Sequence, residues 1–330
     1  MRTHNIPVFV PHLGCDHVCA FCNQRSITGS AGDMTASRAR AVIEEHLRTI
    51  HGGRTMVAFF GGSFTGIEET RQCELLALAK GYLDRGDICG IRLSTRPDYI
   101  DAAVIERLNF YGVTNVEIGA QSMCDEVLAA SGRGHDANTV RRAAHSVREA
   151  GLTLGLQMML NLPLDNDEKA VYTAREFIAL GASETRIYPT LVVRKTELCR
   201  RYERGEYKPQ SVEEAVELSA KLLEMFHNGG VRVLRIGLLG GASLKENLVA
   251  GPYHDAFGEL VYSRLCRRAM EKALKRDGYI KINCPRRFIS KAVGQKKCNI
   301  EYFKKMGVEV EINPTEGEFA INQSITIQED

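Results

Sequence analysis

No stretch of this 330-residue sequence approaches the roughly 18 consecutive apolar residues that a membrane span requires, which argues against a transmembrane helix. The N-terminus, MRTHNIPVFVPHLGC, has no charged head leading into a clean apolar stretch. No secretory signal is read there, and the chain is expected in the cytoplasm without membrane contact. Strong net charge is missing too: 43 Lys and Arg oppose 41 Asp and Glu, so the whole molecule has no electrostatic bias. Low-complexity tracts are absent. The composition, 44% hydrophobic and 25% charged, is that of a globular protein able to bury a substantial core.

The charge that is present lies unevenly. Residues 260–305 contain fourteen Lys and Arg against three acids, whereas 306–330 contain six acids and no Lys or Arg. That reversal predicts a basic face beside an acidic neighbour. Short buried-looking runs at 7–13, 55–60, 91–95, 115–120, 152–159 and 185–193 read as strands. Between them, 36–49, 68–83, 102–110, 139–150 and 168–180 read as amphipathic helices. Six β/α units in a row imply parallel strands with helical crossovers, closed fully or partly into a barrel. A further helix (212–227) and strand (231–236) precede a glycine-rich exit at 237–252, and a basic helix at 258–276 opens a C-terminal region. The expected domains are therefore 1–240 and 241–330.

Ten cysteines in a long chain without a signal serve metals, chemistry or packing more often than disulfides. Cys15, Cys19 and Cys22 form a CxxxCxxC spacing directly after the first strand, where barrel active sites sit. Three thiolates can bind three irons of a 4Fe-4S cluster and leave one iron open, whereas an electron-transfer cluster normally has four cysteine ligands. The alternative is structural zinc, with His12 or His17 as fourth ligand. One β/α unit later, Gly61 and Gly62 end the second strand in FFGGSF and allow a ligand close to the backbone. Polar residues end the other strands: Ser94 and Arg96, Glu117 and Gln121, Gln157 and Asn161, Arg186 and Tyr188. A polar residue on a buried strand needs a partner, which is either a neighbour or a cofactor. Arg133, in SGRGH, suits a carboxylate. His135 reads as loop structure. Cys266, Cys284 and Cys298 contain no CxxC pair and read as buried thiols before a second metal site.

The cysteine spacing, with Phe21 immediately before Cys22, resembles the radical S-adenosylmethionine (radical-SAM) superfamily. The resemblance implies a partial (β/α)6-type barrel with a small basic α+β C-terminal domain. It also implies an open iron that chelates S-adenosylmethionine, and reductive cleavage of that cofactor to a 5′-deoxyadenosyl radical. Cys15, Cys19 and Cys22 then hold the cluster. Phe21, Gly61, Gly62, Ser63, Arg96, Glu117, Gln121, Arg133 and Gln157 are the implied cofactor contacts. A flavodoxin- or ferredoxin-type protein is the implied reductant.

More specifically, FFGGSF, STRPD, VEIGAQS with SGRGH, and YPTLVVRKTEL with Tyr202 and Gly205-Glu206-Tyr207 resemble the radical-SAM half of the Elongator catalytic subunit over residues 7–240. That family modifies a wobble uridine of tRNA using acetyl-CoA. This chain lacks the family's basic N-terminal arm, has a shorter cysteine spacing, and leaves too few residues at its end for an acetyltransferase domain, so acetyl-CoA dependence is not expected. Near the C-terminus, FISKAVGQKKCNI followed by FKKMGVEVEI resembles the core of an RNA-binding KH module, in which a GxxG turn between two helices clamps nucleotides. Gly294, Lys296 and Lys297 would form that turn, with Lys297 in place of the second glycine. The expected function is radical-SAM modification of RNA, most specifically tRNA. The alternatives are a small-molecule enzyme like the oxygen-independent coproporphyrinogen oxidase, or a non-catalytic iron-sulfur RNA-binding protein.

Overall fold

The computed structural model describes residues 3–10, 19–23, 34–238, 240–274, 278–316, 319–321 and 325–327. Strands and helices alternate from the start: β1 (Thr3–Val10), α1 (Ala36–Thr49), β2 (Arg54–Gly61), α2 (Glu69–Asp84), β3 (Gly90–Thr95), α3 (Ala102–Phe110) and β4 (Val113–Gln121). They continue with α4 (Asp125–Ala130), α5 (Ala137–Glu149), β5 (Thr153–Leu160), α6 (Asp167–Ala179) and β6 (Glu184–Pro189). The chain then passes through β7 (Val192–Val193), α7 (Glu197–Glu203) and α8 (Val212–Asn228) into β8 (Arg232–Ile236). Strands β1 to β6 and then β8 form one seven-stranded sheet in that order, and every pairing is parallel. Its edges, β1 and β8, do not pair with each other, so the curled sheet is a half-barrel.

Helix starts follow local chemistry. Thr35, Asp101, Asp136, Asn166 and Thr196 each accept the backbone N–H three residues on, satisfying a donor that the first turn leaves free. Ser211 and Glu214 form a reciprocal capping box at the start of α8. The helices cover the outer face of the sheet, where Val57, Phe59, Leu93, Ile118, Leu156 and Ile187 are buried. Side chains alternate across a strand, so polar residues of the same strands gather on the inner face. No helix among the described residues is long and apolar enough to cross a membrane.

The strand expected at 185–193 is two strands. β6 stops at Pro189, which has no N–H to extend the ladder. β7 then leaves the barrel and pairs antiparallel with β9 (Leu248–Ala250), which follows the short helix α9 (Ala242–Asn247). The glycine-rich exit is thus partly ordered structure.

The next helix, α10 (Phe257–Ala273), serves two cores. Phe257, Val261 and Leu265 join the barrel core, while Cys266, Ala269 and Met270 join a second one. That second core lies under β10 (Tyr279–Pro285), α11 (Ile289–Val293), α12 (Cys298–Lys305) and β11 (Glu309–Thr315). With β12 (Phe319–Ile321) and β13 (Ile325–Ile327) they make a four-stranded sheet of order β11-β10-β12-β13, in which only β10 and β11 pair parallel. Cys266 and Cys284 are fully buried here, and burial pushes the Cys266 thiol pKa up. Among the described residues no group of three metal-binding side chains occurs.

Candidate functional site

The C-terminal ends of the barrel strands form the mouth. Cys15, His12 and His17 lie outside the described residues, so the cysteine motif is seen from Cys19 onward. The segment 19–23 is held by backbone bonds from both sides. Ala20 donates to the Ser131 carbonyl at 2.9 Å and accepts from Leu198 at 2.7 Å. The Asn23 amide donates to the Arg194 carbonyl at 2.8 Å. Phe21 packs against Val192, Leu198, Cys199 and Tyr207. The Tyr207 hydroxyl in turn donates to the Asn161 carbonyl at 2.7 Å, which ties this small core to the end of β5.

Two buried arginines meet the Cys19 sulfur. Arg133 Nη1 donates to Sγ at 3.2 Å, and Arg96 Nη1 lies 4.0 Å away. Both guanidiniums are fixed from behind. Arg133 Nη2 donates to the Gly119 carbonyl at 2.5 Å. Arg96 donates to the Arg133 carbonyl at 2.5 Å and bidentately to Asp98 at 2.9 and 2.7 Å. Burial opposes ionisation of Asp98, yet the Arg96 guanidinium holds its carboxyl below the ordinary range. His135 Nε2 lies 3.3 Å from Arg133 Nε. Burial first, and Arg133 second, push the His135 pKa down to about 4, so the ring is neutral near pH 7 and can accept that bond. The donor set fits a thiolate-held cluster: Cys19 and Cys22 are in no disulfide, and the described donors to the Cys19 sulfur are guanidinium N–H groups.

The glycine pair brings β2 onto the strand from which the cysteine segment departs. The Gly62 amide donates to the Val10 carbonyl at 3.1 Å. Gly61 has φ +113°, and a Cβ there would stand 2.6 Å from the Val10 oxygen, so a side chain is excluded on both counts. Ser63 is buried behind the pair.

The inner wall is an ionic network. Glu117 on β4 receives Arg92 Nη1 at 2.8 Å, Arg186 Nε at 2.5 Å and Nη2 at 2.9 Å, and the Gln157 amide at 2.9 Å. Gln157 also donates to Ser94 Oγ at 3.3 Å. Arg92 bridges on to Glu184 at 2.8 Å, and Glu184 pairs with Arg232. Burial would raise the Glu117 pKa, but Arg186 and Arg92 outweigh it and hold the carboxyl low. Glu117 and Gln157 are therefore occupied with neighbours, and Arg186 reaches across the mouth to lie 5.1 Å over the Phe60 ring at the end of β2. Gln121 has φ +70°, and its buried Oε1 has no hydrogen-bond partner among the described residues. An acceptor that no described donor satisfies is open to a ligand.

Gly294, Lys296 and Lys297 lie about the turn between α11 and α12, outside the barrel. Gly294 has φ +80°, and a Cβ would meet Cys298 Sγ at 2.5 Å and Ser263 Oγ at 2.8 Å. Lys296 and Lys297 are both left-handed, at φ +52° and +62°, and both are exposed. Buried Asn299 anchors the turn on α10: its amide donates to the Ser263 and Ala292 carbonyls at 3.0 Å each, and its oxygen accepts from Arg267 at 2.9 Å.

The sequence reading missed Arg92, Glu184 and Arg235 as members of the wall. A signal was present: Arg92 and Ser94, Asn115 and Glu117, and Glu184, Arg186 and Tyr188 recur at spacing two within otherwise apolar strands.

Comparison with known proteins agrees with this geometry. A family model described as the radical SAM superfamily matches residues 9–177, and one described as the Radical_SAM C-terminal domain matches 182–267. The tRNA uridine(34) acetyltransferase of Methanocaldococcus infernus is 30% identical over 184 residues, 54% of this chain and 33% of the relative. The human Elongator complex protein 3 is 34% identical over 139 residues, 41% of this chain and 25% of the relative. The chain thus matches a quarter to a third of these relatives' length. Among solved structures, the archaeal Elp3 of Methanocaldococcus infernus with an N-terminal deletion shares the fold at a TM-score of 0.65 and 24% identity. That match covers 82% of this chain and 63% of the other. Coproporphyrinogen III oxidase of Escherichia coli shares the fold at a TM-score of 0.50 and 15% identity, covering 80% and 58%.

Proposed function

The chain belongs to the radical SAM superfamily, whose enzymes use a 4Fe-4S cluster and S-adenosylmethionine, and from that premise we propose that it is a tRNA-modifying radical enzyme of the Elongator type. The observation that carries the proposal is the similarity, over about half the chain, to a relative named for its action on tRNA uridine. In this reading residues 1–240 perform the chemistry and 241–330 recognise RNA. Cys15, Cys19 and Cys22 hold the cluster, and Phe21, Gly61, Gly62, Ser63, Arg96, Gln121 and Arg133 surround the cofactor, while Glu117 and Gln157, bonded to each other and to Arg92, Arg186 and Ser94, brace the wall behind it. Cluster and cofactor, when bound, supply hydrogen-atom abstraction.

The chain's own residues orient and exclude. Arg96 and Arg133 steady the Cys19 sulfur, and Phe21 seals the cysteine segment against an apolar core. Glu117 keeps the Arg92 and Arg186 guanidiniums in place on the inner wall. Gln121 offers to the cofactor an oxygen that no described residue partners. The turn at Gly294, Lys296 and Lys297 grips the RNA backbone, because exposed lysines on a tight turn bring cations to phosphates. A flavodoxin- or ferredoxin-type protein in the cytoplasm donates the electron.

The test uses anaerobically reconstituted full-length protein. About four irons per chain are expected, absent in Cys15→Ala, Cys19→Ala or Cys22→Ala, with release of 5′-deoxyadenosine on reduction. Affinity for tRNA should fall steeply with salt, and Lys296→Glu with Lys297→Glu together should weaken it without stopping uncoupled cofactor cleavage. If wild type has no salt-sensitive affinity for RNA, the substrate is a small molecule.

A further inference from the structure

Among the described residues, Arg235 stands on the inner wall without a counter-charge. Its position depends on an irregularity in β8. Glu184 pairs with Arg232 and Thr185 with Val233, but Arg186 pairs with Arg235, so Leu234 is an extra residue in the ladder. Without that bulge Arg235 would pair with Ile187 and point to the helix layer. With it, Arg235 shares a face with Arg186, because paired residues of neighbouring strands point the same way and a bulge re-aims the residues beyond it.

The electrostatics agree with this placement. Arg235 interacts with Arg186 and Tyr188, and burial with the repulsion of Arg186 lowers its pKa against the pull of Tyr188. Burial pushes the Tyr188 pKa up, so the phenol remains a hydrogen-bond donor. Among the described residues Arg235 forms no ion pair. Among the described residues of this wall Arg92, Arg186 and Arg235, with the half-exposed Arg232 at its lower edge, face Glu117 and Glu184, four cations against two anions. A half-buried guanidinium beside a buried one, with too few carboxylates for both, is unfavourable unless a ligand supplies negative charge.

We propose that Arg235, Arg186 and Tyr188 form a subsite for a phosphate group of the substrate inside the barrel mouth. S-adenosylmethionine does not answer the need, since its ammonium and sulfonium outnumber its carboxylate and would add to the positive excess. A phosphate brings one or two negative charges and oxygens suited to the guanidinium fork. The cation–π contact of Arg186 with Phe60 sets the subsite across from the glycine pair of β2. The subsite's identification with an RNA phosphodiester rests on the tRNA reading above, whereas a mononucleotide phosphate would fit the same groups.

The experiment measures binding of an anticodon stem-loop RNA and of uridine 5′-monophosphate to the reconstituted full chain, with Arg235→Gln and Arg235→Lys. Arg235→Gln should weaken RNA binding about tenfold or more and reduce the slope of log affinity against log salt by about one, as the loss of one phosphate contact does. Arg235→Lys, which retains the charge, should restore most of the affinity. If wild type binds the mononucleotide but not RNA, and Arg235→Gln loses the mononucleotide, the subsite stands and the tRNA reading falls. The subsite is overturned if Arg235→Gln binds both probes as wild type does, if wild type binds neither, or if the variant loses S-adenosylmethionine affinity in their place.

Discussion

In the barrel mouth Arg92, Arg96, Arg133 and Arg186 are all more than nine-tenths buried, and each is fixed by at least one carboxylate or backbone carbonyl. In the C-terminal unit Arg286, Lys296, Lys297, Lys304 and Lys305 are exposed. The difference separates two uses of positive charge. A buried guanidinium is geometrically committed, and its removal or that of its partner leaves an uncompensated charge in low dielectric. An exposed lysine on a turn is a mobile point charge whose effect is screened by salt and costs the fold little. Stability should therefore respond to changes in the mouth, and polyanion affinity to changes in the turn.

The comparison is broken most directly at Glu117. Glu117→Ala leaves Arg92 and Arg186 facing each other across an empty space, and a loss of about 3–5 kcal/mol in urea unfolding is expected. A loss below about 1 kcal/mol would mean that the network is as forgiving as the surface. Gly294→Val attacks the other region where its backbone, and not its charge, is demanding. Positive φ and a Cβ 2.5 Å from Cys298 Sγ should cost about 2–3 kcal/mol, seen as faster amide exchange in α11 and α12 with the barrel unaffected.

pH distinguishes the regions in a second way. The unfolded His135 imidazole takes up its proton near 6.5, and the folded one only near 4, because burial and then Arg133 disfavour the cation while Asp98 favours it. Between those values the unfolded chain binds more protons, so the contribution is complete above pH 6.5 and is lost as pH falls towards 4. Wild type should lose about 3 kcal/mol more than His135→Gln across that window, measured by thermal unfolding at stepped pH. The smallest effect is expected at Lys297. Lys297→Gly relieves a left-handed lysine and should raise stability by less than about 1 kcal/mol while lowering RNA affinity through loss of charge.

Much of the barrel was legible in the sequence because its cause is local. The helices expected at 36–49 and 102–110 match α1 and α3 residue for residue, since Thr35 and Asp101 cap them from adjacent positions. The cysteine spacing and the glycine pair were legible because chemistry confines those residue types to few arrangements. The break at Pro189 was in principle readable but was outvoted by the apolar run on either side of it. The role of α10 in two cores was not readable, because one amphipathic pattern does not say how many partners its faces meet.

By itself the sequence determined the alternation of strands and helices, the parallel sheet that this alternation requires, and the chemistry that three closely spaced cysteines can perform. These depend on periodicity, capping and residue type within a few positions. Only the tertiary structure decided that Glu117 is saturated by Arg92 and Arg186, and that Arg133 reaches Cys19 from 114 residues away. It alone turned Arg235 inward through one extra residue in β8. Those outcomes depend on register between strands distant in sequence, and a shift of one residue moves a side chain to the opposite face of the sheet.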